Sequence, residues 1–543
     1  MLVDGDARVS CVTPAVRIAG RSVTTLAGLD RDVCESLADA FVMTGGSQCG
    51  FCTPGILVRL AAQRAKGRTS RVDLDRALAA HLCRCTGWQT IYEAAVAHFG
   101  ANLAAPSAPS PDFGAEDMPP GMQSAPKSRD FARAGRRAVV EGDSFQGVGT
   151  KTPLGDAGFA DDTAPRDALV AVPCAPGSHA ESVTAVGLQW VIGDTIDDAR
   201  RRAGKVQGRR TTVAEVTPFP LPDLPDGGVR VATGWVEPGY LEPDASWCEP
   251  GGEPATPLAN GGAFGGKATS AAPAAARELA DALGRPVRVV YAREDVVRLG
   301  PKRPPIAATA VPVEGAGDRR IDIRGVTALE LPMYKPVYDF TVDAQWEVRE
   351  LVGPPVSDAL RAVGLAEHTI LVEAAIDAAG WDRASLLEDP RATAVMLDTV
   401  VRNAAGALAG ARVHVDEPTG AITRVEVRVD AGDPLDEVVL RSYVIGAAHM
   451  ALGWVLTEGL AVDPETGEVL DLTIRSFGII RPKSMPPVLV EIMQSDDAPR
   501  ALASDAVFGA VAAAIWNAVT RADGERPDSF PAVGTRAARM LRR

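Results

Sequence analysis

The sequence predicts an α+β multidomain chain in which a small helical bundle precedes a large α/β region, and three observations carry that expectation. Residues 30–100 place apolar side chains at helical spacing in short runs broken by glycine. Residues 101–137, beginning "ANLAAPSAPSPDFG", are rich in Pro, Ala and Ser without sustained periodicity, the composition of an extended linker. Beyond them, β-rich runs such as "GGVRVATGWVE" and "PVRVVYARED" alternate with helical stretches such as "APAAARELADALG".

Each bundle element has its own signals. "LDRDVCESLADAFVMTGG" stops at Gly45 and Gly46. In "TPGILVRLAAQRAKG", Thr53 suits the N-cap, Pro54 the first helical position and Gly67 the end. "SRVDLDRALAAHL" opens with Ser70 and Asp73, a variant of the capping box, and "GWQTIYEAAVAHFG" lies between two glycines. In the larger region, "ILVEAAIDAAG" and "AVFGAVAAAIWNAV" also read as helices.

With 543 residues, 46% of them hydrophobic, the chain has material for more than one core. A net charge of -14 opposes binding to phosphate backbones or anionic lipid, so neither nucleic acid nor a membrane is an expected partner. The first twenty residues lack a basic stretch followed by an apolar run, and nowhere do 18 successive apolar residues occur, so a soluble, cytoplasmic chain is expected.

Four of the eight cysteines, Cys49, Cys52, Cys83 and Cys85, fall within 37 residues. The other four, Cys11, Cys34, Cys174 and Cys248, are scattered. The spacings i, i+3 and i, i+2 bring thiolates together locally, and a helix N-terminus after Cys52 would stabilise their charge. Helix ends facing each other across the bundle, with Cys83 and Cys85 closing one helix, would give four convergent ligands. Spacing alone leaves three readings open: a 2Fe-2S cluster, a structural zinc, or no metal.

The residues around the cysteines narrow this. "CGFCTPG" followed by "CRCTGW" resembles the helical 2Fe-2S domain of the xanthine oxidase and aldehyde oxidase family of molybdenum hydroxylases. The N-terminal "MLVDGDARVSCVTPAVRIAGRSVTTLAGL" resembles the last third of that family's plant-type ferredoxin domain, with Cys11 at its fourth ligand. The C-x4-C-x2-C trio that such a second cluster needs does not occur here, so one cluster is expected in this chain and a second would depend on sequence upstream of Met1.

"PLANGGAFGGKATS" places Gly261, Gly262, Gly265 and Gly266 around Phe264, a backbone that can approach an anionic ligand closely. An ordinary turn is one reading. Gly261 to Lys267 also satisfies G-x-x-x-x-G-K, but Ala268 cannot supply the magnesium-ligating hydroxyl of a P-loop. "GGAFGGK" resembles the family's molybdopterin-binding loop. "GVGTKTPLGDAGFADDTAP" resembles the start of its hammerhead domain, here abbreviated, and "LRAVGLAEHTILVEAAID" the stretch in which Arg361 precedes a cofactor-contacting loop.

That resemblance implies a molybdopterin-dependent oxidoreductase that hydroxylates an electron-poor carbon with water-derived oxygen and passes electrons out through the 2Fe-2S cluster. The substrate would be a small molecule, a purine, aldehyde or N-heterocycle. A flavin-binding subunit or another acceptor would be the partner, in a possible homo-oligomer. The implied architecture is a remnant ferredoxin segment (1–22), a helical 2Fe-2S domain (23–100), a linker (101–137), a reduced hammerhead segment (138–206) and two molybdopterin-binding halves (207–375 and 376–543).

The sequence also departs from the family. The family's base is a Glu just before an Ala-rich helix, whereas this place reads "ALASDAVFGAVAAA". Asp505 is the nearest substitute, one methylene shorter, with a plain helix cap as its competing role. An expected Gln is replaced by Val236 or its neighbour, and the residue after Lys267 is Ala268. These losses support an alternative, a non-catalytic electron-transfer or assembly subunit that keeps the cluster. The six histidines show no ligand spacing, and Asp161 and Asp162, near Pro165, read as turn formers.

Overall fold

The computed structural model describes residues 1–100, 129–142, 147–205, 211–256, 262–315 and 318–542. Gly261 of the glycine loop, most of the expected linker and residues 257–260 lie outside the described residues.

The bundle comprises α1 (Arg31–Thr44), α2 (Thr53–Ala65), α3 (Arg71–Leu78) and α4 (Gln89–Phe99). Asp30 caps α1 by accepting from the Val33 N–H, and Gly45 ends the helix in the left-handed region at φ 73°. Ser70 caps α3 through the Asp73 N–H, as its spacing predicts. Thr53 is not an N-cap. Helix α2 begins on it, and its hydroxyl pairs instead with Ser47 at 3.0 Å, bracing the turn that carries Cys49 and Cys52. Leu37, Phe41, Ile56, Leu60, Leu78, Trp88 and Ile91 fill the bundle core. Before it, Leu2–Val3, Asp6–Ala7 and Val23–Thr24 pair as a small antiparallel sheet, and Cys11 is exposed.

The expected linker does not run to residue 137. Helix α5 (Phe131–Gly142) occupies its last residues because Ala134, Arg137, Ala138 and Glu141 recur at helical spacing and are buried. The abbreviated hammerhead stretch is also not separate from the region after it. Its strands Val183–Ala185, Leu188–Gly193 and Leu169–Pro173 continue into Val287–Val290 and Ala245–Cys248 as one five-stranded sheet, covered by α6 (Ala272–Leu283).

A second sheet runs Thr341–Val348, Asp318–Thr327, Ile306–Gly315, Val229–Thr233 and Ser529–Phe530, so a strand near the C-terminus completes the first half. A third runs Thr399–Arg402, Leu408–Val415, Ile422–Asp430 and Val488–Ile492. Between them lie α7 (Leu365–Ala379), α8 (Glu437–Leu456) and α9 (Ala503–Asp523). The last two are long and apolar enough to span a bilayer by composition, but 89% of each such window is buried inside the protein, which makes them core helices.

Helix α8 also docks the bundle. Ser442 donates to the Gly45 carbonyl at 2.7 Å, Gln48 donates to Ser442 and to the Cys85 carbonyl, and Arg441 forks onto Glu93 at 2.6 and 2.8 Å. Gly446 is required where α8 passes the thiol loop, since a Cβ there would lie 1.9 Å from the Cys85 carbonyl oxygen. The core helix thereby fixes the thiol loop against the large region.

Candidate functional site

The four thiols of the cysteine motif come together as two pairs. Cys49 and Cys85 lie 3.5 Å apart, Sγ to Sγ, and Cys52 shares a hydrogen bond with Cys83. Cys83 and Cys85 sit in the turn between α3 and α4 rather than at a helix end, because α3 stops at Leu78. The Cys83 thiol is pulled down to about 7, chiefly by the hydrogen bond from Cys52, with the Thr86 hydroxyl 3.2 Å from its sulfur adding to it against burial. Cys52 and Cys85 are pushed upward as the donors of their pairs and by burial.

The donor chemistry tests which metal suits the site. A mononuclear zinc needs its ligands around one point, whereas a binuclear cluster needs two thiolates on each of two irons. The four thiols interact with one another, and within the group Cys49 pairs with Cys85 and Cys52 with Cys83 by hydrogen bonds, two sulfurs for each of two irons. The arrangement fits 2Fe-2S. Cys11, Cys34, Cys174 and Cys248 take no part, and none of the eight cysteines forms a disulfide.

The glycine loop reaches this site from the large region. A Cβ on Gly262 would lie 2.3 Å from the Cys49 Cβ and 3.5 Å from the Cys85 sulfur, so only glycine allows the loop to rest on the thiols. Gly265, at φ +84°, packs on the turn at Asp358 to Leu360. A Cβ there would overlap the Ala359 carbonyl oxygen at 1.7 Å, and two residues later the Arg361 N–H donates to the Phe264 carbonyl at 3.1 Å. Gly266 packs against Tyr240. Lys267 is turned inward onto Glu242 at 2.6 Å, which rules out a phosphate-cradling lysine, and burial pushes the Glu242 carboxyl up to about 7 despite that partner.

Phe264, Arg361, Arg84, Glu237, Arg303 and Met450 border a cavity of about 30 Å³. The Arg361 guanidinium stacks over Phe264 at 4.7 Å, donates to the Met450 sulfur at 3.4 Å, and lies 4.0 Å from Asp505. Asp505 stands in the first turn of α9, where burial raises its carboxyl pKa while Arg361, the Ala362 N–H and Arg303 oppose that shift. Asp505, Arg361 and Phe264, far apart in sequence, therefore share one neighbourhood. Arg303 is held by Glu367 at 2.7 Å and lies over Trp454, and Lys302 pairs with Glu237 at 2.9 Å.

The donors of Arg361, met by a weak thioether acceptor and a carboxylate beyond hydrogen-bond reach, retain capacity for an oxygen-rich or anionic group. In that respect the residues fit the cofactor expected of the glycine loop. This cavity has room for one or two waters, and the chain just before Gly262 lies outside the described residues.

Other residues resolve plainly. Asp161 forms a fork with Arg288, 2.5 and 2.7 Å, and is no catalytic dyad with Asp162. Sequence reasoning missed Glu141. Its carboxylate, reaching across from α5, accepts from the Ala503 and Ser504 N–H groups at 3.2 and 3.0 Å and caps α9 just before Asp505. Arg84, between two of the thiols, and Glu458 were missed as well. The one signal for Arg84 was a charge inside a buried motif.

Comparison with known proteins agrees with this geometry. Residues 25–96 match the family of 2Fe-2S binding domains and residues 366–486 that of molybdopterin cofactor-binding domains, the second beginning ten residues before the expected boundary at 376. The nicotine 6-hydroxylase small subunit of Paenarthrobacter nicotinovorans is 40% identical over 95 residues, 17% of this chain and 58% of that protein. The xanthine dehydrogenase iron-sulfur-binding subunit of Escherichia coli O157:H7 is 39% identical over 95 residues, 17% of this chain and 60% of that one. The chain thus spans less than two thirds of the length of these curated relatives.

In fold, the aldehyde oxidoreductase of Desulfovibrio gigas superposes with a TM-score of 0.71 at 14% identity, covering 100% of this chain and 94% of that one. The enzyme of Desulfovibrio desulfuricans gives 0.64 at 13% identity, over 99% and 94%. Two thiol pairs, the glycine loop resting on them and both matched domains lead to one conclusion: the chain joins a 2Fe-2S binding domain to a molybdopterin cofactor-binding domain, in a fold similar to that of the Desulfovibrio aldehyde oxidoreductases.

Proposed function

We propose that this chain hydroxylates an electron-poor carbon of a small molecule, a purine, aldehyde or N-heterocycle, with oxygen from water, and sends the electrons out through its 2Fe-2S cluster. The observation that supports the reading is the contact of Gly262 with Cys49, in which the glycine loop of the large region lies directly against the four-cysteine site. Electron transfer needs that closeness. A cluster on a separate, loosely tethered domain would not require glycine at this point.

In this reading Cys49, Cys52, Cys83 and Cys85 hold the cluster, and Gly261, Gly262, Phe264, Gly265, Gly266 and Arg361 form the molybdopterin side. When bound, the molybdopterin cofactor supplies the two-electron redox centre. Arg361 binds and orients oxygen-rich groups with its free donors. Phe264 and Met450 keep its surroundings apolar, which strengthens each polar contact. Asp505 acts as the base at its carboxylate, held by the Ala362 N–H and facing Arg361. Burial lifts its pKa towards the range where a carboxylate removes protons effectively. A flavin-binding subunit or another one-electron acceptor completes the reaction.

A second reading, a non-catalytic electron-transfer or assembly subunit, draws on the cavity of about 30 Å³ and on Asp in place of Glu. Turnover decides between them. The purified chain is mixed with each substrate class and a dye acceptor in ¹⁸O-labelled water. Dye reduction with ¹⁸O in the product supports the hydroxylase, whereas a cluster-loaded, molybdenum-loaded chain inert with all three classes rejects it.

A further inference from the structure

Arg84 is a cation buried to 2% exposure between two of the four thiol ligands in the chain. Its Nε donates to the Pro238 carbonyl at 2.9 Å, and its two Nη groups meet both oxygens of Glu458 at 2.5 and 2.6 Å. Glu458 is equally buried, and both side chains border the cavity beside Phe264 and Arg361.

Helix α8 gives the scale of this arrangement. Gly446 packs on the Cys85 carbonyl, and Gly453 packs on Glu458, where a Cβ would lie 1.9 Å from Oε1. Their separation of seven positions corresponds to about 10 Å of helix. Arg84 is joined to the chain between Cys83 and Cys85, whereas Glu458 meets it only at the guanidinium, so the cation is tethered to the thiol loop and the anion is not. The pair is a buried, bidentate dipole anchored on the thiol loop, in an interior where charge is weakly screened.

We propose that Arg84 and Glu458 set the reduction potential of the 2Fe-2S cluster, Arg84 raising it and Glu458 lowering it, and that the pair links the cluster electrostatically to the cavity. The inference rests on the cluster reading and is independent of the substrate. Reduction by dithionite adds one electron to the oxidised cluster, with no bond formed or broken. A nearby cation stabilises the added negative charge and an anion opposes it.

The test is a dithionite titration of the cluster-loaded full chain with redox mediators, followed by electron paramagnetic resonance. Arg84→Gln should lower the midpoint potential, Glu458→Gln should raise it, and Arg84→Lys should stay near the wild type. Shifts of opposite sign are what a merely structural bolt would not give, because loosening it from either side disturbs the cluster in the same way. Each neutral variant strands a buried charge. The double variant R84Q/E458Q strands none and should fold, with a potential below the wild type but above Arg84→Gln. The proposal is overturned if the single variants shift together or not at all, or if the double variant titrates at the wild-type potential. Visible absorption before each titration separates the two failures: a wild-type chain without cluster absorption overturns the cluster reading itself.

Discussion

The Arg361 guanidinium lies 4.0 Å from the Asp505 carboxylate, across a neighbourhood bordered by Phe264 of the glycine loop. That distance permits attraction without a hydrogen bond, which leaves the carboxylate available to take a proton. Replacing Asp505 by Asn should lower kcat by roughly 100-fold or more with little change in cluster absorption. For the wild type, kcat should fall as pH drops through the raised Asp505 pKa, since the base works deprotonated. Steady-state kinetics across pH check both outcomes, and unchanged turnover in the variant removes Asp505 from the mechanism.

Gly262 leaves no room for a side chain beside Cys49. Gly262→Val should push the loop or the thiol aside and reduce bound iron well below the about two per chain expected of a filled site. Iron analysis with visible absorption reads this. Iron content equal to the wild type would mean that the loop is not tied to the cluster.

Glu141 caps α9 from a different part of the chain and is paired with the fully buried Arg137. Glu141→Ala leaves that guanidinium uncompensated and two helix N–H groups without an acceptor. The expected loss of stability is about 3–5 kcal/mol, read as a lower urea midpoint. A loss within experimental error would contradict the role assigned to α5.

His449 is fully buried and held neutral, its pKa pushed down to about 3 by burial, with the nearby Arg84 charge acting in the same direction. Its unfolded value is near 6.5, so between that pH and about 3 the unfolded chain binds a proton that the folded chain refuses. Stability should therefore fall with pH by roughly 1.4 kcal/mol per unit from this residue. Urea melts at pH 7 and pH 5, compared with His449→Gln, isolate the contribution, because the variant should show a shallower decline.

How much the sequence revealed depends on how local each feature is. The convergence of the four thiols was legible because they lie in two short motifs, and the Ser70 cap because a helix start is written within four residues, whereas the Asp30 cap was not read. Phe264, Arg361 and Asp505 could be nominated from short resemblances, but their meeting depends on α9 packing beside the 359–362 segment, which no local pattern states. The Arg84–Glu458 pair spans 374 residues of sequence and leaves no periodic trace. Helix α5 was hidden because its start, "FARAGRR", comes after a long Pro- and Ala-rich stretch whose composition drowned its spacing. The Thr53 hydroxyl was free to pair with Ser47 because Cys52 takes the N-cap position of α2 and Thr53 the first helical one.

The central claim is that one chain joins a 2Fe-2S cluster to a molybdopterin site through the contact of the glycine loop with the cluster thiols. Metal and pterin analysis of the purified full-length chain tests it most directly. The account predicts about two irons per chain, with molybdenum and pterin bound in comparable amounts to each other. Zinc in place of iron would contradict the cluster, and iron without molybdenum or pterin after expression in a molybdenum-replete host would contradict the joined site.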